Sequence, residues 1–299
     1  MKAALIHRTG SASELQVTDI PMPEVGPGEI RVKVAAAAVN PVDVQTRSDS
    51  LDLNITFPSV LGWDVAGTVD AVGAGVTRFH EGDLVMGMIA QHLRTQGTYA
   101  EYVSSPRELF ALVPEGISLQ QAAAAPLVVL TAAQMLNEIS LPEKADVLVT
   151  GAAGGVGRVA VQLLLQDGHK VAGLARPSDT DDLTALGVAA VYDTAASVPA
   201  KTFDAVFDCA GIAGTIASVR DGGGFVSIVN RPQPEPENGI VPKMSFVQEN
   251  GEQLGKLAQQ IARGTLTVPI GHTYPLSQVD KAHADFEQGG MRGKVLLIP

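Results

Sequence analysis

The sequence predicts an α/β protein in two parts: a β-rich, mostly antiparallel domain, then a parallel sheet with helices on both faces. Three observations carry this. Residues 144–176 read strand, glycine turn, helix, strand. From there onward short apolar runs alternate with helical segments, the order that implies parallel strands and crossovers. Residues 1–117 instead hold short alternating runs punctuated by Pro21-Met22-Pro23 and Gly26-Pro27-Gly28, signatures of strands joined by turns.

Taken in order, residues 29–34 place Ile30, Val32 and Val34 on one strand face, and residues 67–72 alternate likewise. Ser118 with Gln121 makes a capping box, predicting a helix through about residue 137 with a break near Pro126. The next strand contains Val147, Leu148 and Val149. The turn Gly151-Ala152-Ala153-Gly154-Gly155-Val156-Gly157 leads into a helix carrying Val159, Ala160, Leu163 and Leu164, stopped at Gly168. A strand over 170–175, a helix over 181–186 and strands over 190–192, 205–208 and 225–229 follow, with a short helix near 215–219. Residues 232–236 read as an exposed loop, 240–247 as an edge strand, 253–263 as a helix and 294–298 as a strand.

Length and composition set bounds. The 299 residues suffice for two domains, and 45% hydrophobic with 18% charged residues describes a globular protein. No apolar run reaches the roughly 18 residues of a membrane span, and residues 1–10 read as a first strand rather than a signal peptide. A net charge of −11 argues against nucleic acid or an anionic membrane as partner. A single cysteine, Cys209, excludes an internal disulfide and fits a cytoplasmic setting.

The strand–turn–helix–strand unit is the architecture in which a pyrophosphate rests on a helix N-terminus. Here the fingerprint is A-x-G-x-x-G, with Ala152 in the first place, and a purely structural loop is the alternative. At the end of the second strand an NAD site usually has a carboxylate for the ribose hydroxyl, but this chain has Arg176. A guanidinium pairs well with a 2′-phosphate, which favours NADPH; a solvated surface arginine is the competing reading.

With that unit in place, VNPVD (39–43), LGWDVAGTVDAVGAGVTRFHEGDLV (61–85), GTYAEYV (97–103), LTAAQML (130–136), GAAGGVG (151–157), FDAVFDCAG (203–211) and GKVLL (293–297) occur in an order that resembles the medium-chain dehydrogenase/reductase superfamily, specifically its zinc-free quinone oxidoreductase branch. The resemblance implies a GroES-like β-rich domain over 1–117, completed by 267–299, and a Rossmann doubly wound parallel sheet over 118–266, with the active site in the cleft. It implies an NADPH-dependent reductase of quinones or α,β-unsaturated carbonyls that forms a homodimer.

Residue by residue, the resemblance puts Asn40 and Asp43 near the nicotinamide, against a reading as an Asn-Pro turn with a capping Asp. Thr131 would touch the nicotinamide end, unless its hydroxyl bonds its own helix. Gly154, Gly155, Val156 and Gly157 would cradle the pyrophosphate, and Tyr192 would lie against the adenosine ribose or the 2′-phosphate. Ala210 and Gly211 would pass close to the cofactor, and Ser227, Ile228, Val229 and Asn230 would face the nicotinamide amide. Lys294 matches the family's terminal Gly-Lys, or is a surface charge. Cys209 reads as a small buried residue.

Zinc is argued from residues. Where the related zinc alcohol dehydrogenases have a Cys and a Gly-His-Glu, this chain has Asn40 and Gly62-Trp63-Asp64, and its six His show no pair at ligand spacing. Metal-free chemistry is expected. Many relatives carry a Tyr proton donor between the first two motifs, but residues 44–57 contain none, and Asp49 or Asp52 would serve only if burial raised their pKa. Quinones, which need no strong acid, are therefore expected to outrun unactivated enones, with little pH dependence near neutrality. The alternatives are an enoyl-thioester reductase of the same superfamily and a non-catalytic NADPH-binding sensor.

Overall fold

The computed structural model describes residues 1–51, 53, 55–94, 96–229 and 232–299, with His92 described in its backbone alone. The chain forms two compact units, residues 1–127 with 249–299 and residues 128–248.

The first unit is built on a seven-stranded sheet. Its order is Ile270–Pro275, Lys294–Ile298, Glu29–Val39, Asp64–Val72, Leu84–Met88 and Phe110–Leu112, with Tyr102–Pro106 also paired to Glu29–Val39. All pairs are antiparallel except that of Ile270–Pro275 with Lys294–Ile298. Ile30, Val32 and Val34 point into one core with Val65, Val85 and Phe110, as the alternation predicts. The strand runs on to Val39 because Ala37, Ala38 and Val39 are also buried. A small antiparallel sheet of Gln16–Asp19, Lys2–Ile6 and Ser59–Val60 encloses a second core.

The second unit holds six parallel strands in the order Ala190–Tyr192, Lys170–Leu174, Asp146–Thr150, Phe203–Asp208, Val219–Ser227 and Lys243–Met244. This is the doubly wound order, reversing between Asp146–Thr150 and Phe203–Asp208. Two strands differ from expectation. The fifth starts at Val219 rather than near 225, taking in Gly222 (φ +73°) and a register shift opposite residues 203–205. The sixth is two residues rather than eight, since Pro242 has no N–H to give the ladder.

By compactness the chain divides at residues 127/128 and 248/249. Helix Leu119–Ala124, capped by Ser118 and Gln121 as predicted, packs on the strands Glu29–Val39, Asp64–Val72 and Leu84–Met88. Helix Gly251–Ala262 packs on Phe110–Leu112 so closely that a Cβ on Gly251 would lie 2.4 Å from the Phe110 carbonyl oxygen. Both helices thereby join the first unit. No helix among the described residues is long and apolar enough to cross a membrane.

Candidate functional site

In the second unit the site follows from the point where strand order reverses, because loops leaving the two central strands diverge there and open a crevice at their carboxyl ends. The turn after Asp146–Thr150 enters it. Gly151 adopts φ +58°, and Gly154 caps helix Gly155–Gln166 without any side chain to satisfy the first helical N–H groups. The helix packs directly on the turn: a Cβ on Gly157 would lie 2.2 Å from the Gly151 carbonyl oxygen. Gly154 and Gly155 are exposed. A bare, accessible helix N-terminus with backbone in place of side chains fits a dinucleotide pyrophosphate.

Asp208, at the end of the neighbouring strand, ties the crevice together. Its Oδ1 accepts from Thr150 Oγ1 at 2.6 Å and from the Ile212 N–H at 3.0 Å, while its Oδ2 accepts from Ser227 Oγ at 3.0 Å. Ala210 N–H reaches both Thr150 Oγ1 and Asp208 Oδ1, and Val229 N–H reaches Ser227 Oγ. One buried carboxylate thus fixes residues 208–212 and 227–229. The Ser227 hydroxyl is spent on Asp208, and Ile228 donates its N–H to the Asp208 carbonyl, so these residues shape the crevice through backbone. Ala210 is exposed and Gly211 has φ +72°. Asn230 lies outside the described residues.

Arg176 follows the strand Lys170–Leu174, its side chain 58% exposed and its Nε 3.4 Å from Asp179 Oδ2. A 2′-phosphate there would meet an exposed guanidinium only loosely paired with the buried Asp179 carboxylate. Tyr192 ends the adjoining strand level with Leu174, half-buried, its ring edge-on to Phe203 at 6.5 Å and packed against the sheet's apolar cluster. Thr131 is buried on helix Pro126–Leu136. Cys209 is half-buried with its Sγ 3.9 Å from Met135 Sδ, and burial pushes the thiol pKa well up.

In the first unit Asn40, Asp43 and Lys294 meet in a buried polar cluster. Asn40 precedes helix Pro41–Arg47, and its N–H donates to Asp43 Oδ2 at 2.7 Å, half of a capping box. The Asn40 amide donates to Asp64 Oδ2 at 2.9 Å and accepts from the Lys294 ammonium, which also lies 3.3 Å from Asp64 Oδ2. Asp64 Oδ1 accepts the Leu127 N–H at 2.7 Å. Lys294 is therefore no surface charge: an unpaired Asp64 carboxylate here would cost several kcal/mol, and Lys294 supplies the counter-charge. Burial pushes the Asp64 carboxyl up against the pull of Lys294. Asp43 is pushed up to about 7, chiefly by burial, with Asp64 adding and the Asn40 N–H opposing. An acid of intermediate pKa thus exists just before the segment 44–57. Asp49 is exposed and Asp52 lies outside the described residues.

Comparison with known proteins settles the ancestry. The chain is 31% identical over 315 residues to the NADPH-dependent alkenal/one oxidoreductase of Arabidopsis thaliana chloroplasts, spanning 100% of this chain and 80% of that protein. The quinone oxidoreductase of Coxiella burnetii superposes with a TM-score of 0.90 at 29% identity, over 100% of this chain and 99% of that one.

The chain belongs to the medium-chain dehydrogenase/reductase superfamily, in its quinone oxidoreductase branch.

It is an oxidoreductase. The alcohol dehydrogenase GroES-like domain family matches residues 26–115, and the zinc-binding dehydrogenase family matches residues 181–297. A mycobacterial protein of the superfamily, solved in complex with NADPH, is 28% identical with a TM-score of 0.87 over 100% of both chains. Reading motifs of the superfamily left out Asp64, Thr150 and Asp208, though all three stand inside or beside quoted motifs. Asp64 opens a strand and Asp208 ends one, each beside buried apolar residues, and a buried carboxylate at such a place must be answered by donors from elsewhere.

Proposed function

We propose that this oxidoreductase transfers hydride from NADPH to quinones or α,β-unsaturated carbonyls without a metal, in the cytoplasm. The observation that carries the reading is the turn 151–157: at Gly157 any side chain would collide with the turn's backbone, and the helix N-terminus beyond it is bare. Gly154, Gly155, Val156 and Gly157 would hold the pyrophosphate, and Arg176 the 2′-phosphate. The strand ends fixed by Asp208, with Ala210, Gly211 and residues 227–229, would line the nicotinamide half. The bound nicotinamide supplies the hydride, and the protein's part is to orient it and to exclude water.

Metal independence is supported by the donor set. Asn40 and Trp63 stand where the zinc relatives have ligands, and among the described residues no three of His, Cys, Asp and Glu gather as a metal site. Without a Lewis acid the favoured acceptors are already electron-poor. For the acceptor end we assign Thr131 and Asn40, with Asp43 acting through Asn40, since Asp43 is wholly enclosed and gives Oδ2 to the Asn40 N–H. We further assign a homodimer. Strand Lys243–Met244 ends its sheet with one side unpaired, between exposed Val241 and Phe246.

The test is loss of nicotinamide absorbance across benzoquinones, enones and an enoyl thioester, with NADPH or NADH. Faster kcat/KM on benzoquinones with NADPH is the expected result. NADPH binding without turnover on any acceptor would leave a non-catalytic sensor, and preference for the thioester would move the reading to an enoyl reductase. A monomeric mass in light scattering at micromolar concentration would overturn the dimer.

A further inference from the structure

The polar cluster of the first unit continues beyond Asp43, through groups that no step above uses. Arg47 is buried to 1% exposure. Its Nη1 donates to the Gly10 carbonyl, its Nη2 lies 2.6 Å from Glu287 Oε1, and its Nε lies 3.4 Å from His283 Nδ1. A guanidinium has donors and no acceptor, so His283 Nδ1 must accept. Burial and the nearby Arg47 charge hold the His283 ring neutral, pulling it down to about 3. A neutral ring accepting at Nδ1 carries its proton on Nε2. That nitrogen lies 3.3 Å from the Tyr99 hydroxyl, which it can only donate to.

The Tyr99 hydrogen is then free to point onward. Asp43 Oδ1 is buried without a partner at hydrogen-bonding geometry, and the Tyr99 hydroxyl interacts with that carboxyl, opposing the upward push of burial. Room for the Tyr99 ring is made by Gly62 (φ +107°), whose added Cβ would lie 2.4 Å from Tyr99 Cδ1. The rings of Tyr99 and His283 stand edge to face at 5.7 Å.

We propose that Tyr99 and His283 are positioning residues: a one-way chain of hydrogen bonds runs from Arg47 through the His283 ring to the Tyr99 hydroxyl, which leaves the hydroxyl hydrogen to the facing Asp43 carboxyl, and through Asp43 it holds Asn40 and its partner Lys294. Every polarity in the chain is forced by the guanidinium at its head. The groups facing Asp43 are the Asn40 N–H, Tyr99, Asp64 and Lys294; those facing His283 are Arg47 and Tyr99; Glu287 faces Arg47. The inference rests on the reading that Asn40 serves the acceptor end.

The test uses the unmutated protein and six variants. Tyr99→Phe removes only the hydroxyl and keeps the ring against His283, and His283→Leu removes both ring nitrogens. Each should lower kcat for benzoquinone by about three- to tenfold with KM for NADPH unmoved, and the double variant should lose no more than the worse single, as links of one chain do. His283→Gln should recover most of the loss of His283→Leu, because a carboxamide can accept from Arg47 and donate to Tyr99. Multiplying losses in the double variant, or a Gln variant as impaired as Leu, overturns the proposal. A second readout needs no turnover. Tyr99→Phe should alter the pH dependence of the unfolding midpoint in the wild-type background and leave it unaltered in an Asp43→Asn background. The same alteration in both backgrounds overturns the chain. Absence of turnover by the unmutated protein, with the pH result as expected, would refute the reductase reading alone.

Discussion

Asp43 and His283 set opposing pH dependences on stability, and Asp43→Asn separates them. The Asp43 carboxyl stands at about 7 in the folded chain against an ordinary value of 3.8. Between roughly pH 4 and 7 the folded chain holds a proton that the unfolded chain has lost, so Asp43 makes stability fall as pH rises through that window. His283 stands at about 3 against 6.5. Between those values the unfolded chain holds the proton, so His283 makes stability rise with pH. About three pKa units for each, at roughly 1.4 kcal/mol per unit, gives contributions of about 4 kcal/mol that nearly cancel. In Asp43→Asn the carboxamide still accepts the Asn40 N–H, and only the rising limb remains. The difference in unfolding free energy between variant and wild type should therefore move by about 4 kcal/mol in favour of the variant from pH 4 to 7.5. Guanidinium unfolding at pH 4.5, 6 and 7.5, followed by Trp63 fluorescence and circular dichroism, reads it. Parallel curves for the two proteins would mean that Asp43 titrates as in the unfolded chain, and the account of its burial would fail.

Three further outcomes are expected. Gly157→Ala sets a Cβ 2.2 Å from the Gly151 carbonyl oxygen, whereas Gly154→Ala meets the same atom at 3.1 Å; the first should lose about 1–3 kcal/mol and the second much less, and equal melting temperatures would refute the close packing. Arg176→Ala should weaken NADPH by roughly 5- to 30-fold, tempered by its exposure, and leave NADH unchanged in equilibrium titration; equal losses would remove Arg176 from the 2′-phosphate. Dialysis against a chelator should leave quinone turnover intact, and recovery only on adding zinc would reject metal independence.

The turn 151–157 was legible because its constraint acts on the backbone, and a backbone with no room for a side chain must be written as glycine. The alternating run through Ile30, Val32 and Val34 was legible for a similar reason: strand period maps directly onto burial. Tyr99 and His283 were not, since they lie 184 residues apart in sequence and owe their meeting to the fold. Lys294 was ambiguous because a lysine in an apolar run is equally a solvated strand end, until Asp64 is seen beneath it. The edge strand over 240–247 overreached by ignoring what Pro242 does to a ladder. The raised Asp43 carboxyl was not legible either, because burial rather than residue type raises it.

Strand Lys294–Ile298 is made after residues 128–248, yet it lies inside its sheet, between Ile270–Pro275 and Glu29–Val39. On the ribosome, the nascent first unit waits with that slot open while residues 128–248 emerge and complete a sheet of their own. Until residue 294 arrives, Asp64 and Asn40 lack their ammonium, so the polar cluster cannot close early. Synthesis order thus makes the buried cluster a late closure: a nascent chain released before residue 294 would expose a strand edge and a carboxylate together.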